Sequence, residues 1–100
     1  MPGHLYDVGH YPGAIYQPGE QPLVHGSVYE LTGNVNALLA MLDEYEGVSA
    51  PPVATDEYVR AFVPVRTVGR QIDSWVYLYN WPVDSLRYIE SGDYVRYLHG

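Results

Sequence analysis

The chain has 100 residues, 47% of them apolar, a net charge of −7 and no cysteine. That is the size of one domain with a modest core. Disulfides and thiolate chemistry are excluded, and an acidic chain with five Arg and no Lys makes a poor partner for nucleic acid or an anionic membrane surface. No run of apolar residues is long enough to cross a membrane, and the first residues lack a signal-peptide pattern. These features are compatible with a cytoplasmic protein. Tyrosine outnumbers phenylalanine by 11 to one, which suits a polar-lined cavity, a wet interface or a half-buried sheet surface, because a buried phenol seeks a hydrogen-bond partner.

In chain order, residues 1–22 are cut by Gly9, Pro12, Gly13, Pro18, Gly19 and Pro22, so HLYDVG and AIYQ can form only short strands between turns. LVHGSVYEL, 23–31, reads as a strand with Gly26 marking a bulge or a close backbone approach. TGN is a turn, and Asn34 is the expected N-cap of a helix over 35–46. GVSAPPVATDE is a loop. YVRAFVPVRTV, 58–68, alternates Tyr58, Arg60 and Phe62 against Val59, Ala61, Val63 and Val65, with Pro64 placing part of it at an edge or bulge. VGRQI turns the chain. DSWVYLYN, 73–80, is the strongest strand, with Trp75, Tyr77 and Tyr79 on one face. The tail predicts a short turn of helix near 84–90 and a final segment. The order of strands, one helix, then strands predicts a single α+β domain over 1–100 with a mainly antiparallel, barrel-like sheet.

The helix ends in acid. Spacing puts Leu38, Leu42 and Tyr45 on one face, with Leu39 and Met41 at its flanks and Asp43 near its border. Glu46 falls on the same face, whereas Glu44 points away. A carboxylate at a helix C-terminus opposes the macrodipole. Either Gly47 turns the chain and Glu46 escapes to water, or Glu46 is held against apolar surface, where burial and the dipole both favour its neutral form. In the second case it is a candidate general acid/base.

Six motifs stand in order: LYDVGHYPGAI (5–15), VHGSVYEL (24–31), LLAMLDEYEG (38–47), DEYVRAFVPV (56–65), SWVYLYN (74–80) and IESGDYVRY (89–97). Together they resemble the gamma-glutamylcyclotransferase-like, or AIG2-like, superfamily over nearly the whole chain. The resemblance implies a small, mixed, mainly antiparallel β-barrel with one main helix. It also implies a reaction: the α-amine of a gamma-glutamyl group attacks its own γ-carbonyl, 5-oxoproline forms, and an amine or amino acid leaves. The acid of the family's Leu-Asp-x-x-Glu-Gly motif, here Glu46, is then the catalytic acid/base. Tyr6, Gly9, Tyr11, Pro12 and Gly13 match the motif whose loop borders the family's cavity, although the glycines and proline also simply make turns. Tyr77 and Tyr79 share a strand face from which a hydroxyl can reach a ligand, with core packing as the competing role. No metal or cofactor is implied.

The chain departs from the family pattern in three places. The family's opening Tyr-Gly-Ser/Thr-Leu strand and loop, whose amides hold the substrate's α-carboxylate, has no counterpart here, because Met1 lies four residues before LYDVG. Loss of that first strand predicts an open sheet edge and a homo-oligomer that covers it. Ser27 stands where Glu is frequent, and Tyr94 where Trp is usual. Tyr58 and Arg60 match Tyr-x-Arg, in a structural or a ligand role. His10 and His25 match no catalytic position, and a triad of Ser27, His25 and Asp43 has no support in the spacing. Two alternatives stand beside the enzyme: an inactive, small-molecule-binding or oligomerising remnant of the fold, and a fragment of a longer active protein.

Overall fold

The computed structural model describes residues 1–19, 21–27, 33–49 and 53–99. Two short strands, β1 (Gly3–Asp7) and β2 (Pro12–Tyr16), form an antiparallel hairpin with Leu5 opposite Ala14. The helix α1 (Val35–Glu46) follows, then the long hairpin β3 (Tyr58–Thr67) and β4 (Arg70–Tyr79). A two-residue strand, β5 (Arg87–Tyr88), adds to the other edge of β1, and a short helix, α2 (Tyr94–His99), closes the order. The result is a small α+β fold with antiparallel sheets and one main helix.

The expected barrel does not close among the described residues. The strands divide into a sheet of order β2-β1-β5 and a two-stranded β3-β4 ladder, with no hydrogen-bonded pair between them. The sheets instead meet by side-chain packing, where Gly13 of β2 lies under the Tyr79 ring of β4. A Cβ on Gly13 would stand 2.8 Å from that ring and 2.9 Å from Val8, so the close approach requires glycine. The strand expected over 23–31 is represented by a single bridge between Leu23 and Pro2. Residues 24–27 join no strand, and 28–31 lie outside the described residues. Among the described residues, nothing lies within 4 Å of the Cβ position of Gly26, where a bulge or a close backbone approach was expected.

The tail also differs. Instead of a helical turn at 84–90, Leu86 donates its N–H to Val83 O at 2.9 Å, the chain extends into β5, and Ile89 donates to Leu5 O at 2.8 Å. Among the described residues, Ile89 is the most deeply buried large side chain, 2% exposed. In the tail, helix forms at α2, where Asp93 Oδ1 accepts the Arg96 N–H at 3.1 Å. The long hairpin turns over two residues, Val68 and Gly69, so β4 starts at Arg70, inside the expected turn, and Arg70, Gln71 and Ile72 pair with Thr67, Arg66 and Val65.

The β3–β4 register pairs Tyr58 with Tyr79, Arg60 with Tyr77 and Phe62 with Trp75. These six side chains share one face of the ladder. The ladder twists between two environments: Tyr58 and Tyr79 are buried on this face, while Val63 and Val65 are buried on the opposite one. Phe62 and Trp75 remain more than two-fifths exposed.

Candidate functional site

α1 begins where expected. Asn34 Oδ1 accepts the Ala37 N–H at 3.1 Å, and Gly47, with φ of 71°, ends the helix in the left-handed conformation that glycine adopts without strain. The Val48 N–H then closes on Asp43 O at 2.8 Å. The inward face is rotated from the expected one by about 70° around the axis. Leu39 and Asp43 are buried, Glu46 is half-buried, and Met41 and Tyr45 point out. Apolar spacing placed Asp43 only near the border of the face, because the partners that let it be buried lie on another element.

Asp43 is buried because its charge is matched. Its Oδ1 accepts from the Tyr77 hydroxyl at 2.8 Å and pairs with Arg60 Nε at 3.0 Å. The last turn of α1 contains no basic residue of its own. Arg60, reaching from β3, brings the cation that this negative helix end favours. The guanidinium also lies 4.5 Å over the Trp75 ring.

Glu46 opens onto a cavity of about 560 Å³ between α1, β2 and the start of the long hairpin. Its wall carries Tyr11, Pro12, Tyr45, Glu57, Tyr58 and Tyr77. Three of its four phenols are already engaged as donors. Tyr11 donates to Glu57 Oε2 at 2.7 Å, Tyr58 to Pro12 O at 2.8 Å, and Tyr77 to Asp43. Each phenol is therefore held in its neutral form. For Tyr58 burial is the first cause, followed by the charge of Glu57. For Tyr77 burial comes first and then the bond to Asp43, whereas for Tyr11 the bond to Glu57 leads.

The approach to β3 is shaped by Asp56. Its carboxylate accepts the Ser49 N–H and hydroxyl, both at 2.9 Å, and the Val53 N–H at 3.3 Å. The bond from the Ser49 N–H leads in holding its pKa below the ordinary carboxylate range. Asn80 locks the same corner, with its N–H donating to Glu57 O at 2.7 Å and its side chain to Asp56 O at 3.0 Å.

Of the residues singled out in the sequence, Glu46, Tyr11, Pro12 and Tyr77 converge on this cavity. Tyr6, Gly9 and Gly13 do not line it. The Tyr6 ring packs at 5.5 Å from Tyr88, Gly9 turns the β1–β2 hairpin with its N–H on Asp7 Oδ1 at 2.9 Å, and Gly13 supports Tyr79. Glu57 was not anticipated. It precedes β3, so strand alternation carries no signal for it, and only its neighbour Tyr58 marks the spot. Among the described residues, no three metal-ligating side chains converge, and no helix is long and apolar enough to cross a membrane.

A larger cavity, about 770 Å³, lies between the N-terminus, Leu23–Ser27 and the far half of the long hairpin. It holds none of the predicted site residues, so the smaller cavity, where the helix-end acid meets three phenols, is the better candidate.

Residues 1–96 match the family model described as gamma-glutamyl cyclotransferase, AIG2-like. The chain is 41% identical over 91 residues to the gamma-glutamylcyclotransferase family protein YtfP of Escherichia coli K12, covering 91% of the chain and 66% of the relative. It is 38% identical, with the same coverage, to the corresponding protein of Citrobacter rodentium. The chain thus spans about two thirds of the length of the curated relatives it matches. The solution structure of ytfP from Escherichia coli is similar in fold, with a TM-score of 0.60 and 38% identity, covering 95% of this chain and 71% of that one.

Proposed function

The chain belongs to the gamma-glutamyl cyclotransferase, AIG2-like family, and from that premise we propose that it cyclises a gamma-glutamyl group to 5-oxoproline and releases an amine or amino acid, with Glu46 as general acid/base. The observation that carries this reading is the place of Glu46. The acid of the family's motif ends α1, half-buried, and opens onto the cavity walled by Tyr11, Pro12, Tyr58 and Tyr77.

In the reaction the α-amine nitrogen bonds to the γ-carbonyl carbon, and the bond from that carbon to the leaving nitrogen breaks. Glu46 takes a proton from the attacking amine and returns it to the leaving nitrogen, so atoms and charge balance without water, metal or redox partner. Because nucleophile and electrophile belong to one molecule, orientation supplies much of the rate. Tyr11, Pro12 and Tyr77 are proposed as direct ligand contacts. Tyr6, Gly9 and Gly13 hold the hairpin that carries Tyr11 and Pro12. A single domain, a cytoplasmic setting and a homo-oligomer pairing at a free sheet edge complete the proposal, and light scattering of the purified chain tests the last.

The deciding experiment incubates the chain with a panel of gamma-glutamyl amines and dipeptides and measures 5-oxoproline by mass spectrometry, with Glu46→Gln alongside. Release by the wild type and none by the variant is expected. Release by both removes Glu46 from the mechanism. Silence from a folded wild type favours a binding role for the same cavity or a need for chain beyond these 100 residues.

A further inference from the structure

We infer that Asp43 is a positioning residue: through Arg60 and Tyr77 its carboxylate holds the last turn of α1 on the β3–β4 ladder and so sets where the Glu46 carboxylate stands. The catalytic part of this inference rests on the function proposed above.

Three observations carry it. First, the two partners of Asp43 Oδ1, the Tyr77 hydroxyl that donates to it and the Arg60 guanidinium that pairs with it, stand directly opposite each other across the strands. They form a rigid pair whose spacing is set by the ladder rather than by side-chain freedom, and Arg60 is itself steadied over Trp75. Second, apolar packing alone does not fix the rotation of α1. Leu39 is its one fully buried apolar residue, while Met41 is 60% and Tyr45 85% exposed. A helix held so thinly by hydrophobic contact takes its rotation from the polar contacts of Asp43, the hydrogen bond from Tyr77 and the ion pair with Arg60. Third, Asp43 precedes Glu46 by three residues, less than one turn, so both side chains leave the helix on the same side. A rotation or slide of the last turn would carry Glu46 with it, and a misplacement near 1 Å at a reacting group can cost about a hundredfold in rate. Neither Asp43 nor Arg60 lines the cavity, so neither acts on the ligand directly.

The test uses the full chain with Arg60→Met, Arg60→Lys and Asp43→Asn, and reads two quantities. One is kcat and KM for 5-oxoproline release, per folded molecule and at a temperature where circular dichroism shows each variant folded. The other is amide hydrogen exchange at Gly47 and Val48, the helix-end amides bonded back to Glu44 and Asp43, compared with the β3–β4 ladder amides. Arg60→Met and Asp43→Asn are expected to lower kcat at least tenfold with KM changed less than threefold. Arg60→Lys, which restores the charge, should recover part of the loss. Combining Arg60→Met with Asp43→Asn should cost no more than Asp43→Asn alone, because both act through one carboxylate. Exchange at Gly47 and Val48 should quicken at least tenfold with the ladder amides unmoved.

A purely structural role predicts lower stability with kcat per folded molecule unchanged, and that result overturns the inference. If the wild type releases no 5-oxoproline, the proposed function fails on its own. The exchange data then judge the clamp: unchanged protection at Gly47 and Val48 in Arg60→Met overturns it, and selective loss there supports it.

Discussion

Arg60 on β3 meets Asp43 on α1 at 3.0 Å, and through that pair the negative end of a helix with no basic residue in its last turn finds its counter-charge in a neighbouring sheet. The contact ties together two motifs that stand well apart in the chain, Leu-Asp-x-x-Glu-Gly and Tyr-x-Arg. It is also the reason an acid, rather than a leucine, sits at the centre of the buried face of α1. Arg60→Met should destabilise the fold by about 2 kcal/mol, because it leaves a mostly buried carboxylate with the Tyr77 hydroxyl as its remaining donor. Urea denaturation followed by circular dichroism measures this. A loss under about 0.5 kcal/mol, the range of an ordinary surface change, would mean that water replaces the guanidinium at little cost.

Gly13→Ala tests the seam between the two sheets. The added methyl would press on the Tyr79 ring and on Val8 at under 3 Å. Overpacking of this kind costs about 1–3 kcal/mol. Gly26→Ala, where no described residue lies within 4 Å of the Cβ position, should change stability by less than about 0.5 kcal/mol. Thermal melts of the two variants should separate clearly.

Gly47→Ala places a side chain on a residue with φ of 71°, at a cost of about 1–2 kcal/mol. Because Glu46 immediately precedes it, 5-oxoproline release should fall more than the loss of folded protein accounts for. Equal falls in activity and folded fraction would show that the helix end tolerates the change.

Acid stability should report on Asp56. Its pKa is held low in the folded state by the N–H of Ser49 first, and then by the Ser49 hydroxyl and the Val53 N–H. A depressed folded value means that the unfolded chain takes up the proton first as pH falls. The stabilisation is therefore present above the ordinary aspartate value of about 3.9 and is lost as pH drops through the lower, folded value. Asp56→Asn should be less stable than wild type at neutral pH, with the gap narrowing below about pH 4. A gap that stays constant with pH would assign the role of Asp56 to shape rather than charge.

The alkaline side should report on Tyr58 and Tyr77. Burial raises both phenols above the ordinary tyrosine value of about 10. With folded values raised, their contribution is complete below the unfolded value and is lost as pH climbs through the folded ones. Phenolate absorbance should show Tyr58 and Tyr77 as the last to titrate, after Tyr11, Tyr79 and Tyr97, whose phenols are also raised, and stability should decline above about pH 10. Tyr58→Phe should flatten that decline while losing about 1 kcal/mol at neutral pH with the bond to Pro12 O.

The sequence by itself determined the elements whose signals are local. Asn34 and Gly47 bracket α1 because capping depends on a few adjacent residues, and the alternation within 58–67 and within 73–79 sets which side chains share a face. The motif order also sufficed to identify the family. Only the tertiary structure decided the rotation of α1, because the partners that make Asp43 a buried residue lie on another element. For the same reason it alone brought Glu57 into the cavity with Tyr11, kept the two sheets apart where a barrel was expected, and turned the tail into a strand and then a helix. In each case the deciding energy is a pairing between residues distant in the chain, which no periodicity in the sequence records.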